Sequence, residues 1–263
     1  ALTGCDLDNV IIELNASELP IMDGSSKYFV EALEKAEVVE QDADRKVYVV
    51  KEVISYTDES TGSEILVMPC DSYQVTTMVD FGTKVLGTQN ATLKSISDFK
   101  KEIAKCRTFV FLRELEYLAS NNLIKGGDLD NAIVLVDRPE VAQEELDRLA
   151  KLLGKDKLQV SIDGIGVLNS TKLQYENEPA RHKLLDIVGD LALVGKPIKA
   201  HILAARPGHS GNVRFAKVLK EQIKKQQNQG RIFDLSKDPV YDINDIERIL
   251  PHRYPFLMLD KII

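Results

Sequence analysis

The segment from residue 179 to residue 227 alternates between helix and strand patterns, and this alternation constrains the fold more than any other feature. Pro179 suits the first turn of a helix, and Gly195 suits its C-terminal cap. Alternate apolar positions in Ile198–Ala204 then predict a half-buried strand. From about Gly211 to Gln227, apolar residues recur on one helical face. A helix, a strand and a helix in this order predict a mixed α and β fold.

The first hundred residues show mainly strand patterns. A short strand, Val10–Leu14, and a helix capped by Ser25 come first. Three strand-like runs follow, separated by turn residues, at Val47–Ser55, Glu64–Met68 and Tyr73–Phe81. Their spacing predicts an antiparallel meander.

Further elements complete an α+β chain. Ser97 is expected to cap a helix that buries Phe99 and Ile103, and a short amphipathic piece covers residues 114–118. A strand at Ala132–Val136 and a helix at Glu140–Leu153 come next. The order predicts an internal structural repeat of sheet-and-helix units, of which the first is incomplete.

Composition excludes several classes of function. The 263 residues carry a net charge of −7 without a basic block, which argues against nucleic acid as a partner. Three cysteines without CxxC spacing favour a reducing cytoplasm over a disulfide framework. No apolar run approaches ~18–20 residues, so we expect a soluble protein with at most peripheral membrane contact. We recognise no signal peptide.

His182 and Asp186 lie one helical turn apart and should leave the same face. An ordinary hydrogen-bonded pair, contributing ~0.2–0.5 kcal/mol, would have the same spacing. The sharper alternative is a pair of metal ligands. A catalytic zinc normally takes three protein ligands, so a third would have to come from elsewhere.

His209 follows Gly208 just before a predicted helix. It is either a turn or cap residue, or a general acid whose pKa is held near neutrality by the helix N-terminus and a carboxylate such as Asp190. Lys183 either faces solvent or clamps an anion, whereas His201 is expected to pack or to face solvent.

Two further features have a structural and a functional interpretation. Thr108, in a segment predicted to end a helix, could donate its hydroxyl to an oxyanion. Leu112, Leu115, Leu118 and Leu129 suit an ordinary core, and the same residue types would line a lipid-chain groove.

Several short motifs, taken in order, resemble those of the UDP-3-O-acyl-N-acetylglucosamine deacetylases, the zinc enzymes of the committed step in lipid A synthesis. The resembling segments are 14–16, 20–25, Arg107-Thr108-Phe109, Gly126-Gly127, Arg181–Asp186, Gly189-Asp190 and Gly208-His209 with Asn212. The resemblance covers nearly all of residues 1–227.

The resemblance implies an α+β fold of two sheet-and-helix domains, the first incomplete, packed as a layered sandwich. It also implies a Zn²⁺ cofactor and specific residue roles. His182 and Asp186 would bind zinc, His209 with Asp190 would act as the acid or electrostatic partner, and Thr108 would contact the oxyanion. A further set would bind the UDP-linked acylated amino sugar: Lys183, Phe109, Phe111, Leu112, Leu115, Gly127 and Leu129. The last members belong to an insert, residues 111–132, that would line the passage of the acyl chain.

One family feature is expected to lie outside this sequence. The family's third zinc ligand is a histidine preceded by a glutamate, and this segment would align a few residues before Ala1. The general base lies close by in the same region. The chain as it stands is therefore expected to hold zinc weakly and to show little activity.

The segment Ile249–Phe256, followed by Leu259-Asp260, resembles the start of a 3-hydroxyacyl-acyl-carrier-protein dehydratase of hot-dog fold. The resemblance implies four parts: the end of a first deacetylase domain (1–43), a second (44–228), a linker (229–241) and the start of a dehydratase domain (242–263). It also implies acyl-carrier protein as a partner of the fused domain. His252 is expected to be structural. The alternatives are a bifunctional enzyme that also dehydrates hydroxyacyl carrier proteins, and a non-catalytic fragment that binds the same ligands.

Overall fold

A computed structural model describes residues 1–84, 86–121, 131–138, 141–152, 166–168, 172–229 and 238–262. The α-helices are α1 (Lys27–Lys35), α2 (Phe99–Glu102), α3 (Leu112–Ser120), α4 (Gln143–Leu152), α5 (Glu178–Asp190), α6 (His209–Gln229) and α7 (Ile243–Ile249). The strands are β1 (Tyr48–Val49), β2 (Ile54–Asp58), β3 (Ser63–Met68), β4 (Tyr73–Asp80), β5 (Thr88–Leu93), β6 (Phe109–Phe111), β7 (Ile133–Leu135) and β8 (Ile198–Ala205). Short 3-10 helices cover Thr3–Cys5, Ile96–Asp98 and Leu191–Val194. The predicted α+β class is confirmed.

The main sheet has the strand order β2-β3-β8-β4-β5, and β1 pairs in parallel with the start of β8. β8 runs antiparallel to β3 and parallel to β4. The predicted meander is therefore wrong at its second step, because β8 separates β3 from β4. Two strand spacings measure about 9.5 Å, a distance that the four residues between Met68 and Tyr73 can span.

One face of the sheet packs against helices. Val75 and Ile202 are fully buried on that face, and the Thr77 hydroxyl donates to the backbone oxygen of Ala180 in α5. The ring of Phe215 in α6 lies 5.5 Å from that of Tyr56 in β2. The predicted alternation in β8 is confirmed, since its buried positions are 198, 200, 202 and 204. This core fixes α5 and the start of α6 relative to the sheet.

A second, smaller layer consists of the parallel pair β6-β7 with α3 and α4. Its core contains Leu112, Leu115, Val134, Val136, Leu146, Leu149 and Leu168. β6 begins directly after Arg107 and Thr108, while α2 already ends at Glu102. The expectation that Arg107 to Phe109 end a helix is therefore wrong, because this segment instead enters a strand.

Other differences concern strands that local patterns do not specify. Residues 10–14 form no strand, and the side chain of Ile11 is 90% exposed. The sequence patterns do not indicate β5 or β6. Most β5 side chains are polar and half of them are exposed, so the apolar alternation that signals a strand is weak. Ser95, rather than Ser97, accepts a capping hydrogen bond, although Phe99 and Ile103 are buried as predicted.

The chain divides into two compact units, residues 1–219 and 220–263. In the second unit, Asp242 and Asp245 form a capping box that starts α7, and Tyr241 pairs with Ile262 in an isolated bridge. Residues 238–262 do not show a hot-dog fold, and the predicted limits of the domains remain predictions. Among the helices that the structure describes, none combines the length and the apolar character needed to cross a membrane.

Candidate metal and catalytic site

Helix α5 presents His182, Asp186 and Asp190 on successive turns. The helix forms here because Pro179 occupies its first turn and its apolar residues are buried. Leu184 and Ile187 are at most 1% exposed. With that side of the helix fixed, His182 and Asp186 project together, and both are largely buried themselves.

The hydrogen bond of His182 defines its tautomer. Nδ1 lies 3.0 Å from the backbone oxygen of Cys106, and because a carbonyl can only accept, Nδ1 carries the proton. Burial lowers the pKa of His182, which outweighs the opposing effect of Asp186, so the neutral ring is favoured. In the neutral ring, Nε2 presents a lone pair, 3.4 Å from Oδ1 of Asp186.

This arrangement fits two ligands of a metal ion. Two lone-pair donors face each other with no proton between them, which is unfavourable unless a cation lies in the gap. Zn–N and Zn–O bonds of about 2.0–2.2 Å at a tetrahedral angle place the two donor atoms about 3.3 Å apart. The observed 3.4 Å matches this separation. The donor types, an imidazole nitrogen and a carboxylate oxygen, are also those of zinc sites.

The described residues include no group of three or more His, Cys, Asp or Glu side chains arranged to hold a metal. Cys106 is close in space to the site, since its carbonyl contacts His182, but burial raises the pKa of its thiol to about 12. Its Sγ also donates to the backbone oxygen of Glu102. The thiol is therefore engaged with the backbone of α2 in this structure.

His209 lies beside the pair at the first residue of α6, rather than in the turn before the helix. Its Nδ1 is 2.9 Å from Oδ2 of Asp190, and its Nε2 is 3.8 Å from Oδ1 of Asp186. The hydrogen bond to Asp190 raises the pKa of His209, with a smaller contribution from Asp186, while partial burial opposes the increase. The structure thus brings His209 and Asp190 together.

Asn212 also holds Asp190. Its Nδ2 donates to Asp190 Oδ2 at 2.9 Å, and the Asn212 side chain is fully buried. Since the same carboxylate oxygen also contacts His209, Asn212 fixes the orientation of the carboxylate toward the imidazole.

Lys183 faces this cluster. Its Nζ lies 3.2 Å from Asp186 Oδ2 and 5.3 Å from the centre of the Phe109 ring. The ammonium is therefore placed by a carboxylate and by an aromatic face, and the alternative of a purely solvent-directed lysine is not what the structure shows.

Aromatic rings flank the histidine. Phe109 lies edge-on to His182, with the ring centres 6.3 Å apart. Phe81, directly after β4, contacts both Phe109 and Phe111, with ring centres 5.8 and 5.7 Å apart. The sequence predicts Phe81 only as the end of a strand, and it carries no local signal that would link this residue to two rings so far along the chain.

Thr108 is held by its backbone. Its N–H donates to Gly24 O at 2.7 Å, and its carbonyl accepts from Ile133 N at 2.8 Å. Gly24 has φ of +77°, and a Cβ at this position would collide with the carbonyl oxygen of Asn131. The 20–25 motif thus supports the start of β6, and the predicted role of the Thr108 hydroxyl remains a prediction.

The predicted substrate-binding leucines occupy different surroundings. Leu112 and Leu115 are 1% and 5% exposed and belong to the core of the smaller layer. The structure places them in this core, and their predicted contact with the substrate remains a prediction. Gly127 and Leu129 lie outside the described residues.

Comparison with known proteins shows the family of the chain. The sequence profile of the LpxC family, UDP-3-O-acyl N-acetylglycosamine deacetylase, matches residues 1–151 and 149–221. The chain belongs to this family. A deacetylase of that name from Nitratidesulfovibrio vulgaris is 36% identical over 221 residues, 84% of this chain and 62% of that protein.

Some relatives align with the whole chain. Proteins called "Bifunctional enzyme LpxC/FabZ" from Bacteroides thetaiotaomicron and Porphyromonas gingivalis are each 45% identical over 263 residues. The alignment covers all of this chain but 56% of each relative, so the chain spans just over half the length of these proteins.

A buried ion pair near the site has no local signal in the sequence. Arg107 and Glu178 are 71 residues apart, yet Nε of the arginine lies 2.9 Å from Oε1 of the glutamate. Glu178 is fully buried and Arg107 is 6% exposed. Charged residues look solvent-exposed by default, and no local pattern predicts a pair so distant in the chain.

Proposed function

We propose that the protein deacetylates UDP-3-O-acyl-N-acetylglucosamine in lipid A synthesis, in the cytoplasm, and that it uses zinc. The observation that carries this proposal is the His182–Asp186 pair, with a free Nε2 lone pair 3.4 Å from a carboxylate oxygen. Membership of the LpxC family and the names of the deacetylase relatives support the reaction and its substrate.

His182 and Asp186 would hold the metal. When bound, zinc would polarise the amide carbonyl and lower the pKa of water from ~15.7 to ~7. As in the family, the third ligand and the general base would come from a glutamate-histidine segment beyond the residues described. Two ligands alone would bind zinc weakly.

The remaining residues would act on the substrate. His209 would be protonated because Asp190 stabilises its cationic form, and it would donate a proton or stabilise the oxyanion. Thr108 would donate its hydroxyl to the same oxyanion. Lys183 would bind the sugar or its anionic part. Phe109 would also contact the substrate, and Phe111, the first residue of the insert, would line the passage of the acyl chain.

The test is acetate release from the acylated UDP-amino sugar by the whole polypeptide, with zinc per chain measured in parallel. We expect His182→Ala to abolish both. His201→Ala is the matched control, because His201 contacts Thr76 on the opposite side of the sheet from the buried positions of β8. Full activity in His182→Ala would rule out the proposed site.

A second activity is a candidate because of residues 222–263. They lie beyond the part matched by the deacetylase profile, but the alignments with the bifunctional relatives include them. We propose that they begin a dehydratase part that acts on hydroxyacyl groups on acyl-carrier protein. Dehydratase activity in the whole polypeptide, retained in His182→Ala, would support this assignment, and its absence would contradict it.

A further inference from the structure

One peptide group lies between two residues of α5. The carbonyl of Cys106 accepts the Nδ1 proton of His182 at 3.0 Å. The N–H of the same peptide unit, that of Arg107, donates to Oε1 of Glu178 at 3.0 Å. Glu178 and His182 are four residues apart on the helix, so they approach opposite ends of this peptide from successive turns.

The Glu178 carboxylate is buried and is held in place by several hydrogen bonds. It has no exposed surface, and Arg107 contacts both of its oxygens through Nε and Nη2 at 2.9 and 3.0 Å. The backbone N–H of Gln174 donates to Oε2 at 2.6 Å. A carboxylate that accepts charge-assisted hydrogen bonds in a low-dielectric interior polarises the groups that it contacts.

We propose that Glu178 is a positioning residue for His182 and acts through the Cys106–Arg107 peptide. The carboxylate draws the peptide N–H toward itself, which increases the negative charge on the Cys106 oxygen. The oxygen then accepts a stronger hydrogen bond from Nδ1, fixes the tautomer and makes Nε2 a better electron-pair donor. Metal-binding histidines commonly donate the proton of their other ring nitrogen directly to a carboxylate or a carbonyl. Here the Cys106–Arg107 peptide would link the His182 ring to the Glu178 carboxylate.

The proposal rests on the metal site of the proposed function, but it also predicts an effect in metal-free protein. In the unmodified chain, the amide proton of Arg107 and the Nδ1 proton of His182 should both resonate downfield and exchange slowly with water. Ordinary shifts and fast exchange for either proton would overturn the inference without any measurement of metal.

Substitutions separate this role from that of the buried ion pair. Glu178→Gln removes the negative charge but leaves Arg107 buried without a counter-ion. The double variant Glu178→Gln/Arg107→Met removes both charges, so stability should be regained. We expect both variants to move the His182 Nδ1 proton upfield and to weaken zinc binding about 10-fold, measured by competition with a chelator.

The two possible failures are distinguishable. If the double variant regains stability together with unmodified zinc affinity and an unmodified Nδ1 resonance, Glu178 is merely structural and the inference is overturned. If His182→Ala binds zinc as tightly as the unmodified chain, the proposed metal site itself fails. The Nδ1 and amide resonances then still decide whether Glu178 acts on His182.

Discussion

At the scale of single residues, the pKa of His209 tests whether this residue can act as the predicted acid. The hydrogen bond to Asp190 raises that pKa above its ordinary value, so Asp190→Asn should lower it. The contact of protonated His209 with Asp190 stabilises the fold fully below about pH 6.5, the pKa of a histidine in the unfolded chain. This contribution is lost as the pH rises through the higher pKa that His209 has in the folded chain. The measurement is an NMR titration of the His209 ring protons in metal-free protein.

Glu221→Gln is the control for this titration. It removes a carboxylate that pairs with Lys224 on the same helix, at 3.0 Å, and leaves Asp190 intact. An equal change in the pKa of His209 in both variants would show that overall charge, rather than the contact with Asp190, raises it.

Gly24 is predicted to be irreplaceable because of its conformation and its neighbours. It has a positive φ, and a Cβ would meet both Asn131 O and Thr108 Cγ2. Gly24→Ala should lower the free energy of unfolding by about 1–3 kcal/mol or more. Gly82→Ala tests the backbone contribution alone, since Gly82 has φ of +64° and a Cβ added to it would have no neighbouring atom within 4 Å. Equal losses in urea titrations would contradict the predicted collision.

At the scale of secondary structure, the ion pair of Arg107 and Glu178 joins the start of β6 to α5. Breaking a buried pair leaves one charge uncompensated, so Arg107→Met should lower the free energy of unfolding by about 3–5 kcal/mol. Adding Glu178→Gln should recover much of that loss. A double-mutant cycle measured by denaturant unfolding checks this prediction, and simple additivity of the two losses would refute it.

The start of α6 is fixed by a second contact to the sheet. Arg214 donates through Nη1 to both oxygens of the Asp58 carboxylate, which is largely buried at the end of β2, and to the Ser60 hydroxyl. Gly211 packs so closely that a Cβ there would lie 3.2 Å from that of Ser63. The β2–β3 turn therefore positions the helical turn that carries His209.

Local sequence patterns predict the helices and strands better than they predict which strands and side chains come into contact. The period of α5, the alternation in β8 and the buried face of α6 all follow from residues that are neighbours in sequence. The place of β8 between β3 and β4 does not, because its partners in the sheet lie far earlier in the chain and any apolar strand could fill that gap. The sequence likewise specified the His182–Asp186 spacing, but the Cys106 carbonyl that sets the tautomer of His182 is 76 residues away.

At the scale of the whole molecule, zinc should stabilise the fold if His182 and Asp186 bind it. A ligand that binds only the folded state, at about 100 times its dissociation constant, adds about 2.7 kcal/mol to the free energy of unfolding. We expect a zinc-dependent rise in the melting temperature of the chain that is absent in His182→Ala and retained in His201→Ala. An equal rise in His182→Ala would indicate binding elsewhere.

The pH dependence of that stabilisation provides a sharper test of the same site. Zinc needs the neutral imidazole, and burial holds the pKa of His182 below its ordinary value. Protons should therefore compete with zinc only below about pH 6.5. Without zinc, the same lowered pKa makes folding less favourable as the pH falls below about 6.5, because the unfolded chain takes up a proton that folded His182 resists. Melting temperatures measured from pH 8 to pH 5, with and without zinc, should show the zinc-dependent rise intact down to about pH 6.5 and smaller below it. A rise that already halves between pH 8 and pH 7 would mean that zinc is held by a group that titrates well above pH 7, and not by His182.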